Sequence, residues 1–504
     1  MTKSVFRNLL AGFVMLASAA CSIQQQEILP NTSSGLSQES FRTFSEWCIN
    51  RVFLSKEARY TVDALLAQTD AETDCKQAEI ALAQFKTLAL DSYGGYGRNN
   101  GIVDLAPLGS LTNLTELNLG RNHIEDVTPL ANLTELTTLY LYSDRIKDVT
   151  ALGSLINLTT LDLTGNKIDL TPLANLTNLT DLSLEHSGIK DLTPLASLTN
   201  LSSLNLVENR IKDISPLANL TNLTSLDLGH DEFVPIGRDE LTNEITDLTP
   251  LVKLTNLTRL DLSGNEISDV EVLANLTNLE SLNLSRNKVT DITPLTSLTN
   301  LTSIGLSHNR IADVTPLAQF KTLPILNLEN NRIADLKPLA HLKNLTELEL
   351  NSNQIIDISP LAQLTRLEQL DLNDNQITDV SALGSLTNLG ALYLYTNQIT
   401  DVSPLENLEK LRFLSLYENK VQDVTPLANL DNLSRLALGK NQITDVSSLT
   451  SLDEMESLGL QNNPLQNRAC PVQPKSACDY DANNFGLFKA LRDFIYPPSE
   501  FTLD

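Results

Sequence analysis

Apolar and polar positions alternate along the chain in a fixed rhythm. Two Leu flank one variable residue, an Asn follows three positions after the second Leu, and Ile or Val comes two positions later. The windows 301-322, LTSIGLSHNRIADVTPLAQFKT, and 323-344, LPILNLENNRIADLKPLAHLKN, show two copies in succession. Seventeen copies align, with the first Leu or Ile at 88, 117, 139, 161, 182, 204, 226, 260, 282, 304, 326, 348, 370, 392, 414, 436 and 458. The Leu-x-Leu alternation predicts a short strand with its aliphatics on one face. The Asn (122, 166, 209, 243, 265, 287, 309, 331, 353, 375, 397, 419, 441, 463) predicts a turn whose backbone it bonds through both donor and acceptor. Asp144 and Ser187 replace it in two copies, and Asn100 and Asn243 follow insertions. Pro-Leu, as in Pro129-Leu130, then opens a tight helical turn, because Pro has no N–H to leave unpaired there. The Leu-x-x-Leu spacing that follows suits 3-10 geometry.

A single coil of this kind cannot bury its Leu set, so each needs neighbours, and the copies must stack into a quasi-one-dimensional array. The pattern resembles the leucine-rich repeat, and its 22-residue form with Asp-x-x-Pro-Leu-x-x-Leu-x-x-Leu resembles the repeats of bacterial internalins. The resemblance implies an α/β solenoid, a leucine-rich-repeat horseshoe with a concave parallel β-sheet and convex 3-10 turns. Repeats would occupy 86-464, between a helical N-terminal cap at 41-85 and a C-terminal cap at 465-504.

In the first cap Phe41, Phe44 and Trp47, then Val62, Leu65 and Leu66, fall at helical spacing, with Ser55 and Asp74 as N-caps. In the last, Phe485, Phe488, Leu491, Phe494 and Ile495 predict a short helix halted by Pro497-Pro498. The flanks FRTFSEWC and CPVQPKSAC resemble caps of secreted leucine-rich-repeat proteins of cyanobacteria and related bacteria. None of the five Cys lies in the repeats. Pairing Cys48 with Cys75 and Cys470 with Cys478 staples each cap and leaves Cys21 for another role.

Residues 1-20 carry Lys3 and Arg7, then LLAGFVMLASAA, a pattern expected of a cleaved signal peptide and too short for a membrane span. The run into Cys21 resembles a bacterial lipoprotein signal, which implies lipidation of Cys21, a tether at 21-40, and an outer-membrane or cell-surface lipoprotein. Ser18 stands where such signals usually carry Leu. Ordinary cleavage after Ala20, giving a periplasmic or secreted protein, is therefore the second reading.

Asp and Glu exceed Lys and Arg by 62 to 36, a formal charge of -26. A surface of that sign repels nucleic acid and anionic head groups, so membrane contact is expected only through the Cys21 anchor. No enzyme signature emerges: the five His are scattered, and YGGYG at 93-97 is no phosphate loop. No cofactor or metal is expected. The recurrent Asp (126, 148, 191, 213, 313, 335, 379, 401) gives one carboxylate per coil, thin against the six to eight oxygens calcium takes, and is expected to bond a backbone turn. His230, Asp231, Glu232, Asp239 and Glu240 sit in or beside the second insertion; their donors could hold a cation, but a solvated loop is the expectation. The Asn-Leu-Thr triplets match glycosylation acceptors, but their Leu is a core position.

Strand positions facing away from the core are free of packing duty, so specificity can be written there. They are rich in acids and hold Tyr140, Tyr142, Tyr393, Tyr395, Phe413 and Tyr417, with Glu347, Glu349 and Asp371 nearby. Exposed aromatics beside acids predict a binding patch for a protein or peptide partner, with a preference for a basic one. A cell-envelope glycan is the alternative ligand, since Tyr platforms flanked by acids also suit sugar rings.

Overall fold

A computed structural model describes residues 41-71, 73-91, 101-230 and 241-480. Apart from Phe41, these belong to one compact unit, Arg42–Asp504. The signal and tether expected at 1-40, both insertions and the helix expected at 485-495 lie outside the described residues.

The chain enters through three short helices, α1 (Phe44–Ile49), α2 (Lys56–Leu66) and α3 (Cys75–Leu82). Each begins on a side chain that accepts from its free N–H groups. Ser55 Oγ accepts from Ala58 N at 3.0 Å and Asp74 Oδ1 from Lys76 N at 3.0 Å, as expected. At α1 the cap is Thr43, which forms a capping box with Glu46. The helices bury Phe44, Trp47, Val62, Leu65 and Leu66. Cys48 and Cys75 form a disulfide that ties α1 to α3, and Thr61 Oγ1 donates to Asp104 O at 2.7 Å, fastening α2 to the first coil.

Strands then recur once per copy, from β1 (Thr87–Ala89), β2 (Glu116–Asn118), β3 (Thr138–Tyr140) and β4 (Thr160–Asp162) to β17 (Ser457–Gly459). Each pairs in parallel with the next in chain order, first Leu beside first Leu, as in Leu117↔Leu139 and Leu139↔Leu161. The expected strands all form. An eighteenth, β18 (Cys478–Asp479), adds to β17 through Leu458↔Cys478, and the Cys470–Cys478 disulfide closes the loop that delivers it. That strand has no Leu-x-Leu signature, so the periodicity could not show it.

Both Leu of each copy are buried, as at Leu117, Leu119, Leu370 and Leu372. A 3-10 turn follows on the far side, exemplified by Thr128–Asn132, where Pro129 occupies the first turn and Leu130 is buried. The Asp before it bonds the turn backbone as expected. Asp126 Oδ1 accepts from Thr128 N at 2.8 Å, and the same bond recurs at Asp148, Asp191, Asp213, Asp313, Asp335, Asp379 and Asp401.

The Asn ladder does more than close its own turn. Asn331 Nδ2 donates to Leu328 O of its own coil at 3.2 Å and to Leu306 O of the preceding coil at 2.9 Å, while Oδ1 accepts from Ile311 N at 3.0 Å. A second ladder, not anticipated, runs through the Asn of the Leu-Thr-Asn-Leu loops: Asn300 Nδ2 donates to Thr277 O at 3.0 Å and Asn278 Nδ2 to Thr255 O at 2.9 Å. The residue before the buried Asn adopts left-handed backbone, from Arg121 (φ 61°) to Asn462 (φ 59°), usually without glycine.

Candidate functional site

The open face of the sheet carries two aromatic groups far apart along the solenoid. The first is on β3. Tyr140 lies in register between Asn118 and Asp162 and is half-buried. Burial raises its hydroxyl above the ordinary range, and Glu116, Asp162 and Asp181 raise it further by their negative charge. Tyr142, two residues on, is also half-buried, with the Arg121 guanidinium 5.7 Å from its ring centroid. Gly120 makes room for that ring, since a Cβ there would come within 2.3 Å of Tyr142.

The second group spans β12 (Glu347–Glu349), β13 (Gln369–Asp371), β14 (Ala391–Tyr393) and β15 (Phe413–Ser415). The structure brings Tyr393, Tyr395, Phe413 and Tyr417 together, as the columns require, with Ala391 and Ala437 in the same cluster. Tyr393 and Phe413 are tilted at 36° with ring centroids 4.7 Å apart. The expectation of an exposed platform is corrected here. Tyr393, Phe413 and Tyr417 keep only 2%, 6% and 4% of their surface, and Tyr395 alone is partly open. Adjacent strands sit close enough for large rings on neighbouring coils to cover one another. Lys440 adds to this, its Nζ lying 5.2 Å from the Tyr417 centroid and 2.9 Å from Glu418 Oε2.

The acids beside this cluster differ among themselves. Asp371 pairs in register with Tyr393, is buried, and accepts from Asn373 N at 2.9 Å. Glu349 Oε2 accepts from Asn327 Nδ2 at 2.6 Å. Glu347 is partly open; burial raises its pKa, and Glu368 adds to the shift.

Two further groups are not evident in the repeat pattern alone. Asp227 and Asp261 face each other across adjacent strands. Burial pushes both carboxyls up, and the negative charge of Asp261 raises Asp227 further. On the rim, Glu208 stands between two imidazoles on neighbouring coils, with Oε2 2.8 Å from His186 Nδ1 and Oε1 3.3 Å from His230 Nδ1. The sequence signal for both lies in pairwise comparison of the variable columns between adjacent copies, which summing those columns over all copies conceals.

Asp231, Glu232, Asp239 and Glu240 lie outside the described residues, as does Cys21. Among the described residues no group of three or more His, Cys, Asp or Glu is arranged to hold a metal ion, and no helix is long and apolar enough to cross a membrane.

A family model described as leucine-rich repeats (2 copies) matches residues 98–132, 134–175, 177–219, 199–236, 240–275, 277–319, 322–363, 365–407, 391–429 and 409–451. A leucine-rich-repeat protein from Leptospira interrogans superimposes with a TM-score of 0.58 at 25% identity, covering 81% of this chain and 98% of that one. An internalin from Listeria monocytogenes is 32% identical over 75% of this chain and 94% of its own, with a TM-score of 0.49. The ectodomain of the Arabidopsis receptor kinase HAESA, in complex with a peptide hormone ligand, shares the fold at 22% identity with a TM-score of 0.54, over 73% of this chain and 74% of that one. No curated protein matches the sequence.

Proposed function

Because the chain belongs to the leucine-rich-repeat family, we propose that it is an exported binding protein whose open sheet face takes a protein or peptide partner with basic character. The observation that carries this reading is the β3 group. Tyr140 and Tyr142 keep open surface amid Glu116, Asp162 and Asp181, whose charge is felt at the Tyr140 hydroxyl. Aromatic rings supply contact area at low entropic cost, and the surrounding acids select the sign of what lands on them. Tyr395 offers a second, smaller contact. Beneath it Tyr393, Phe413 and Tyr417 act as packed support. That a receptor of the same fold holds a peptide hormone accords with a peptide-sized ligand.

Export accords with two disulfides, which persist in oxidising compartments. We place the anchor at Cys21, where small residues precede a Cys after an apolar run. Cys21→Ala then moves the protein from membrane to soluble fractions and abolishes fatty-acid labelling; an unchanged membrane fraction refutes the anchor.

The binding reading is tested by probing the protein on a random peptide array and on a glycan array. Lys- and Arg-rich peptides are captured, capture weakens with salt, and Tyr140→Ser with Tyr142→Ser abolishes it. Capture confined to the glycan array, or peptide capture indifferent to both substitutions, overturns the proposal.

A further inference from the structure

The N-terminal cap displays an apolar surface that neither the repeats nor the open sheet face uses. At the end of α1 the chain makes a 3-10 turn, Arg51–Phe53. Phe53 is 82% exposed, Val52 69% and Ile49 62%. Single exposed apolar residues are ordinary. Three within five residues, one of them an almost bare Phe, form a protrusion that costs solubility and contributes nothing to the core.

The protrusion is held in shape. Arg59, on the first turn of α2, reaches back and donates to three carbonyls of this segment: Nε to Arg51 O at 3.1 Å, and one terminal nitrogen to Val52 O at 3.1 Å and Leu54 O at 3.4 Å. Ser55 caps α2 immediately behind it, and Arg51 pairs with Asp63 at 3.1 Å. Leu54 is buried, so the chain turns inward directly after Phe53. Val52 and Phe53 are thus presented outward by a turn whose Arg51 and Val52 carbonyls are already satisfied.

Charge reverses here as well. The protein as a whole is strongly acidic. Yet the stretch 42-59 holds Arg42, Arg51, Lys56 and Arg59 against Glu46 and Glu57, and Arg42, Lys56 and Arg59 are exposed. Apolar and aromatic tips with a local excess of cations in the same segment are a composition that suits a bilayer interface, rings among the acyl chains and cations among the phosphates.

We propose that Ile49, Val52 and Phe53 dock on a phospholipid surface. This rests on the reading of Cys21 as a lipid anchor. Residues 22-40, the stretch between Cys21 and Phe41, reach at most about 65 Å when fully extended, so an anchored chain holds this cap within that distance of the membrane. Docking then fixes which end of the solenoid meets the bilayer.

The full chain, produced with its own leader, is reconstituted into vesicles of phosphatidylethanolamine and phosphatidylglycerol, with and without brominated acyl chains. The sole natural Trp, Trp47, is buried, so Phe53→Trp adds one exposed reporter, read against the unsubstituted protein. The expected result is a blue shift of the added emission on vesicles and its loss on brominated lipid. A fatty-acylated Cys21 by mass spectrometry together with unquenched emission overturns the docking while sparing the anchor. Absence of acylation overturns both. A Phe53-dependent dimer in analytical ultracentrifugation overturns the docking in favour of a second copy of the chain.

Discussion

Asn309 Nδ2 donates to the Leu284 carbonyl of the preceding coil at 2.8 Å, while its Oδ1 accepts from Val289 N at 3.0 Å. One buried amide therefore joins two coils, and its removal strands a carbonyl and an N–H away from water. Asn309→Ala is expected to lower the unfolding free energy by about 1-3 kcal/mol in urea titration. Asn300→Ala, in the exposed ladder, is expected to cost less than about 1 kcal/mol, because water takes over the freed groups. Equal losses would mean that the two ladders do not differ in solvation.

Asp144 is the one carboxyl in the buried ladder. Its Oδ1 accepts from Ile124 N at 3.1 Å, Oδ2 is buried without a hydrogen-bond partner, and burial pushes its pKa up to about 7, against the lowering effect of its backbone bonds. A folded-state pKa above the unfolded one means that the native state binds the extra proton between the ordinary Asp value and about 7. Stability contributed by this group is therefore present at low pH and is lost as pH rises through that window. Asp144→Asn removes the charge and restores the ladder's amide. The gain in stability should be largest above pH 7 and shrink by roughly 1.4 kcal/mol per unit below it. A gain independent of pH would rule out the carboxylate as its cause.

Thr396 has φ 53°, a conformation that β-branched residues resist and Asn tolerates. Asn330 and Asn462 hold the equivalent place in other coils. Thr396→Asn is expected to raise the unfolding free energy by about 0.5-1 kcal/mol, read from the midpoint of chemical denaturation at unchanged slope. A lowered midpoint would show that the Thr side chain contributes something its backbone strain conceals.

Phe413 packs against Tyr393 and is buried, so Phe413→Ser is expected to cost about 2-4 kcal/mol of folding stability. Tyr395→Ser, at a partly open position, is expected to cost less than about 1 kcal/mol. Matching melting curves for wild type and Phe413→Ser would return these rings to the role of an exposed platform.

The disulfides close loops of different length, with sequence separations of 27 for Cys48–Cys75 and 8 for Cys470–Cys478. Loop-closure entropy gives roughly 3-4 kcal/mol for the first and roughly 2-3 kcal/mol for the second. Cys48→Ala with Cys75→Ala is thus the more damaging pair, visible as early loss of helical signal on heating. The reverse order would place the critical seal at the C-terminal end.

The sequence by itself determined the coil. Leu-x-Leu, the Asn three residues later and Asp-x-x-Pro-Leu are local instructions, each satisfied within one copy or by an identical neighbour, so β1 to β17, the buried Asn and the Asp-opened turns were all legible. Helix caps at Ser55 and Asp74 were legible for the same reason. Tertiary structure decided whatever depends on what lies beside a residue on another coil. Tyr393 and Phe413 occupy variable columns that carry no packing signal, yet they bury one another because strand pairing brings them into contact. Asp227 and Asp261 read as two surface acids until register sets them face to face and desolvation lifts both pKa values. β18 exists because a paired edge on β17 and a disulfide bring Cys478 there, without any Leu-x-Leu in its own residues. Periodicity fixes what points into the core; only adjacency fixes what happens on the face that points out.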